Sequence, residues 1–241
     1  MNPQIHPFDR KFYDVLTGQY TVDKFLDDLG TRYGTIDAAV VWPGYPNLGA
    51  DDRNQFDMYR ALPGGLDGVA NFTSELRLRG VRVMWMYLQW DTGTRPEGLP
   101  DEQTLPTLLK QTGGSGLNGD CLPFFPQSYY NASVAANYPL ALQAEGGAQD
   151  ESLRWTTTGW GYWGRQGHDS DPAGYNWTLD YDTVPLVDRF KFVTKSRFLT
   201  TICDRYAKNR TNDVQFAWFN GAGFVPWENV RRWSCLACCG P

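Results

Sequence analysis

The segment VRVMWMYLQW, residues 81–90, constrains the fold more than any other stretch of the sequence. It is apolar almost without interruption, which is how a strand reads when both of its faces are covered, as in a parallel sheet flanked by helices. Gly80 immediately precedes it, and GGLDGVANFTSELRLRG (64–80) before that carries Leu66, Val69, Ala70 and Leu76 at helical spacing. Helix, glycine stop and buried strand together form an α/β unit.

The unit recurs. YTVDKFLDDLGTRYG (20–34) places Val22, Phe25, Leu26, Leu29 and Tyr33 on one helical face, with Thr21 as N-cap and Gly34 as stop, and IDAAVVWPGYPN follows as strand and loop. TLPTLLKQTGG reads as a short helix before SGLNGD, a strand stub ending at Asp120; PLALQAEGG reads as another, ending at Glu145. FKFVTK (190–195) and VQFAWF (214–219) read as later strands separated by a helix in SRFLTTICDRYAKN, where Phe198, Ile202 and Tyr206 share a face. Residues 148–189 read as long loops, with one strand hidden in 153–163. The pattern predicts an α/β fold, a (β/α)8 TIM-barrel-like domain occupying residues 1–241, with a doubly wound sheet as the alternative. No GxGxxG or P-loop supports a nucleotide role, and no cofactor is expected.

Composition narrows the partners. A net charge of −5 and scattered Lys and Arg lack the footprint of a nucleic-acid binder or a polybasic membrane anchor. No apolar run has the length of a membrane span, and the N-terminal MNPQIHPFDRKFYD has no signal-peptide core. Asn-x-Ser/Thr occurs at Asn71, Asn131, Asn176 and Asn209, a pattern of the secretory pathway or of coincidence. Cys235, Cys238 and Cys239 crowd the tail without a second ligand pair, and His6 and His168 stand alone, so no metal site is expected. Aromatic residues make up 15% of the chain, ten of them Trp, and flat rings of this kind stack on sugar faces.

Acids recur where strands end: Asp91, Asp120, Glu145 and Glu228. In a barrel those ends share one face, the face that carries chemistry. Trp42, Tyr45, Trp90, Trp160, Trp163 and Trp227 flank the same positions. Carboxylates among aromatics suit glycoside hydrolysis, in which one carboxylic acid protonates the leaving oxygen and a second carboxylate attacks or activates water. Asp51, Asp52, Arg53, Asn54 and Asp57 crowd one loop, which reads either as a self-bonded loop with Asp52 or Asn54 capping a helix or as hydrogen-bonding groups for sugar hydroxyls. Arg95 pairs a neighbouring carboxylate or a substrate oxygen, and the amides of Asn118 and Asn220 complete the candidate carbohydrate-binding set. No GxSxG or HExxH motif is present.

The run from YTVDKFLDDLG to LQWDTGTR, followed in order by GLNGD, LALQAEGG, VPLVDRFKF and FNGAGFVPWENV, resembles a little-characterised family of TIM-barrel, glycoside-hydrolase-like proteins. Some of its members carry formylglycine-generating sulfatase-type domains. The resemblance spans residues 19–230 and implies a barrel of the glycosidase superfamily type acting on a carbohydrate. It also implies a chain cut short at both ends, with RRWSCLACCGP (231–241) as an atypical tail in place of a Trp-rich continuation. Counting AVVW as the first strand places Glu145 after the fourth and Glu228 after the seventh, where a large clan of retaining glycosidases holds its acid/base and nucleophile. That count makes Glu145 the acid/base and Glu228 the nucleophile, with Asp120 the rival for either role. The alternative is a barrel that binds carbohydrate without cleaving it, or an inactive fragment.

Overall fold

The computed structural model describes residues 2–44, 49–145 and 151–159, and the backbone of 199–204 and 223–226. The chain opens with β1 (Gln4–Ile5) and a small antiparallel hairpin, β2 (Tyr13–Asp14) with β3 (Gln19–Tyr20). It continues through α1 (Val22–Tyr33), β4 (Ala38–Val41), α2 (Gln55–Arg60), α3 (Gly65–Leu78) and β5 (Arg82–Leu88). Then come α4 (Asp101–Thr112), β6 (Gly116–Asp120), α5 (Gln127–Ala135), β7 (Ala141–Ala144), β8 (Thr158–Gly159), β9 (Leu199–Asp204) and β10 (Gly223–Pro226). Among the described residues the large sheet has eight strands in the order β1-β4-β5-β6-β7-β8-β9-β10, and every pairing in it is parallel. Parallel neighbours in chain order, joined by helices, are the (β/α) barrel arrangement that the apolar run at 81–90 predicts.

One hydrogen bond shows that the sheet is curled. Asn2, just before β1, donates from Nδ2 to Gln143 Oε1 on β7 at 2.9 Å. Four strand spacings separate β1 from β7 in the sheet order, about 19 Å if the sheet were flat. Only a strongly curved sheet brings them into contact, with an inner face looking across to itself.

Alternation then sorts the side chains. On the outer face Trp85 lies stacked on Tyr59 of α2, ring centroids 3.7 Å apart, and the Tyr59 hydroxyl donates to the Val41 carbonyl. Tyr87 packs beside Phe125 and Tyr129, and its hydroxyl accepts from Tyr129 and donates to Asp101 at the start of α4. Val22, Phe25 and Leu29 bury the inner stripe of α1, and Phe25 packs edge-on against Phe12, which also meets Tyr20 and Phe72. Gly34 ends α1 with φ 81°, as a glycine stop requires. Thr21 precedes α1 but does not cap it; its hydroxyl donates to the Lys11 carbonyl. Gly116 lets β6 approach β7 closely, since a Cβ there would meet the Ala141 carbonyl oxygen at 2.4 Å.

Three expectations change. Leu199–Asp204 is a strand rather than part of a helix; Thr200, Thr201 and Ile202 are β-branched and suit extended backbone better than their helical spacing suggests. Gly223–Pro226, read as loop, pairs with β9 as the last strand described. Gln4–Ile5 adds a strand ahead of AVVW, so counting along the sheet places Asp120 at the end of the fourth strand and Glu145 after the fifth. FKFVTK, VQFAWF and the tail 231–241 lie outside the described residues.

Candidate active site

The site follows from register and a period of two. β6 and β7 pair Asn118 with Gln143, both fully buried on the inner face. One inward position further along each chain lie Asp120 and Glu145. The two acids therefore meet at the C-terminal edge of the sheet, and one oxygen of each lies within 4.8 Å of the other and of Cys121 Sγ. Asp120 is buried and Glu145 partly so. The Glu145 N–H donates to the Gly119 carbonyl at 3.0 Å, which keeps Glu145 beside β6 beyond the last paired residue of β7.

Three neighbours shape the pair. The indole Nε1 of Trp90, at the end of β5, donates to Asp120 Oδ2 at 2.9 Å, while 44% of Trp90 remains exposed. Cys121 adopts φ 55°, the left-handed region, and its backbone N–H donates to Glu145 Oε2. Its Sγ lies 3.9 Å from Asp120 Oδ2. The Gln89 amide donates to the Cys121 carbonyl at 2.9 Å and ties this turn to β5. Partial burial and then the charges of Asp120 and Glu145 push the Cys121 thiol above its ordinary pKa. Two carboxylate oxygens and one sulfur form a donor set of the kind a borderline cation such as zinc accepts.

The polar loop after β4 resolves differently. Asn54 caps α2, accepting at Oδ1 from the N–H groups of Phe56 and Asp57, while Asp57 accepts from the Asn54 N–H. Asp57 also holds Arg60 at 2.8 Å and Arg95 at 2.6 Å, and Glu97 holds Arg60 and the Asn54 amide. Burial draws the Asp57 carboxyl upward, but donation from Arg60, Arg95 and Asn54 outweighs it, so its pKa is lowered. The Arg60 guanidinium likewise lowers Glu97. Of the two readings of Arg95, the structure shows the carboxylate partner. Asp51 pairs with Arg53 on the surface, and Asp52 accepts at its carbonyl from the Arg95 N–H. Asp91 accepts from the Gln55 N–H and from Thr94, joining the loop to β5. Trp42 is buried at the end of β4. Tyr45, Trp160, Trp163, Asn220, Trp227 and Glu228 lie outside the described residues.

The sequence reading passed over Cys121, Gln89 and Gln143. Gln143 was detectable, because it stands two residues before Glu145 as Asn118 stands two before Asp120. The part played by Cys121 comes from backbone torsion, which no residue pattern announces.

No family model matches the chain, and no curated protein is similar to it. Solved structures resemble it in fold. An α-amylase from Geobacillus thermoleovorans matches with TM-score 0.52 and 12% identity over 95% of this chain and 70% of that one. An α-galactosidase I from Mortierella vinacea matches with TM-score 0.55 and 10% identity over 95% and 67%. An α-N-acetylgalactosaminidase from Bifidobacterium bifidum matches with TM-score 0.50 and 12% identity, this chain spanning 46% of that protein's length. The fold is thus that of a TIM-barrel protein, and these structural neighbours are glycoside hydrolases. At such identities the likeness is one of fold.

Proposed function

We propose that this protein hydrolyses a glycosidic bond in an oligo- or polysaccharide, using Asp120 and Glu145 as its two carboxylates. The observation that carries the reading is their apposition within 4.8 Å at the C-terminal sheet edge, beside the half-open ring of Trp90. Retaining glycosidases hold their carboxyl groups about 5–5.5 Å apart, whereas inverting enzymes need room for a water between them. Asp120, buried and oriented by the Trp90 indole, attacks the anomeric carbon. Glu145 gives its proton to the leaving oxygen, then takes one from the water that releases the sugar from Asp120. The exposed part of Trp90 offers a platform for a sugar face. Sequence reasoning assigned the nucleophile to Glu228 with Asp120 as its rival; the Asp120–Glu145 contact, together with the burial of Asp120, favours Asp120. The ordered blocks from YTVDKFLDDLG to FNGAGFVPWENV support the narrower kinship with the glycoside-hydrolase-like family whose members include sulfatase-type fusions.

The test is a screen of aryl glycosides with the wild-type chain and Asp120→Asn, Glu145→Gln and Glu228→Gln. Either of the first two substitutions lowers kcat/KM on the accepted substrate by about 10³-fold or more, and the product keeps its anomeric configuration. Activity surviving both substitutions removes the pair. Loss confined to Glu145→Gln and Glu228→Gln returns the nucleophile to Glu228. Saturable sugar binding without turnover identifies a binding barrel instead.

A further inference from the structure

Beneath the carboxylate pair the inner face of the sheet is lined with amides where a packed barrel would carry aliphatic side chains. Asn118 and Gln143 lie directly below Asp120 and Glu145. Asn2 enters from just ahead of β1, and Gln4, two residues on within that strand, shares its side of the chain. All four are buried, Asn2 at 7% exposure and the others at 2% or less. Gln143 Oε1 accepts from both Asn2 Nδ2 and Asn118 Nδ2, each at 2.9 Å, so a single oxygen joins the first strand to β6 and β7.

These bonds leave five buried polar atoms without a partner among the described residues: Asn2 Oδ1, Asn118 Oδ1, both amide atoms of Gln4, and Gln143 Nε2. Buried polar groups in folded proteins are almost always hydrogen-bonded to protein or to ordered water. Here the unmet groups cluster on one inner surface and mix acceptors with donors. A cation would call for acceptors alone and an anion for donors alone. Water offers two of each, and a polar interior of this kind is where internal water is retained.

We propose that Asn2, Gln4, Asn118 and Gln143 form a buried water-binding site under the floor of the Asp120–Glu145 pair. The bound water completes the hydrogen bonding of the amides and holds the first strand against β6 and β7. The site does not depend on the carboxylates cleaving a glycosidic bond.

Oxygen-17 magnetic relaxation dispersion on the wild-type chain tests this directly, since buried water exchanges far more slowly than surface water. The expected result is a dispersion from long-lived water that diminishes in Gln4→Met and in the double variant Asn118→Leu/Gln143→Leu. Gln4→Met keeps the side chain's length and removes two unmet groups. If water serves those groups, the substitution lowers Tm by about 2–6 °C. If the amide is unserved, replacing it with an apolar chain raises Tm. A wild-type chain without the slow dispersion overturns the proposal whether or not the variants fold, and so does a dispersion that Gln4→Met leaves unchanged while Tm rises.

Discussion

Cys121 shows how one residue's backbone sets a site's chemistry. A β-carbon disfavours φ near 55°, yet in that conformation the Cys121 N–H meets Glu145 while its carbonyl accepts from Gln89. The thiol consequently sits between two carboxylates and on the surface. Its raised pKa keeps it protonated at neutral pH, because partial burial and the negative charges of Asp120 and Glu145 both oppose the thiolate. Site-resolved alkylation should therefore proceed more slowly at Cys121 than in the unfolded chain at pH 8, and its rate should rise through a midpoint above that of an ordinary thiol. In Asp120→Asn, with one charge gone, the midpoint should fall. A wild-type midpoint at or below the ordinary value would mean that the carboxylates do not face the sulfur. None of this is visible in the letters CL after GLNGD, since torsion is decided by how β6 leaves the sheet. The positions of the two acids were legible at the residue scale, because Asp120 ends β6 and Glu145 directly follows β7, as their short strand segments suggest.

At the scale of elements, α2 and the loop after β5 form one ionic unit. Arg60 reaches both Asp57 and Glu97, Arg95 reaches Asp57, and Asn54 joins the cap of α2 to Glu97. Both acids have pKa values below their ordinary range, Glu97 chiefly through Arg60. A carboxylate with a lowered folded pKa stabilises the fold above its unfolded pKa, about 4, and loses that contribution as pH falls through the lowered value. Urea unfolding of the wild-type chain should show stability declining from pH 5 towards pH 3. Arg60→Met should flatten part of that decline and cost about 1 kcal/mol at pH 7, a modest figure because 35% of the Arg60 side chain stays exposed to water. An unchanged acid limb would mean that the guanidinium does not hold these acids in solution. Elements of this region were legible in proportion to their periodicity. The segments 20–34, 64–80 and 81–90 declared themselves through long apolar patterns. The six residues of α2, the weakly amphipathic QSYYNASVA of α5 and the two-residue β1 are too short or too irregular to do so, and tertiary contacts define them. In LTTIC the helical spacing competed with β-branching, and pairing with β10 went to the strand.

At the scale of the molecule, the parallel arrangement was readable from alternating units, but where the sheet begins was not. Gln4–Ile5 has too few residues for a pattern, and its place is fixed by what it meets. Its ladder to β4 is set by the Val40 N–H on the Pro3 carbonyl and the Trp42 N–H on the Ile5 carbonyl, at 2.9 and 2.8 Å. Ile5 is fully buried, and Asn2 spans the interior to Gln143. Removing residues 1–7 should strip the edge of β4, expose Val40 and Trp42, and open the inner face beneath the carboxylates. Burial of one Ile is worth about 2–3 kcal/mol, and each ladder bond adds about 1 kcal/mol. The shortened chain should therefore lose about 4 kcal/mol or more, seen as a lower urea midpoint. The uncovered strand edge should also drive association on size-exclusion chromatography. A midpoint within error of the full chain's, with the monomer intact, would show that the sheet starts at β4. The original count from AVVW would then return Glu145 to the fourth strand.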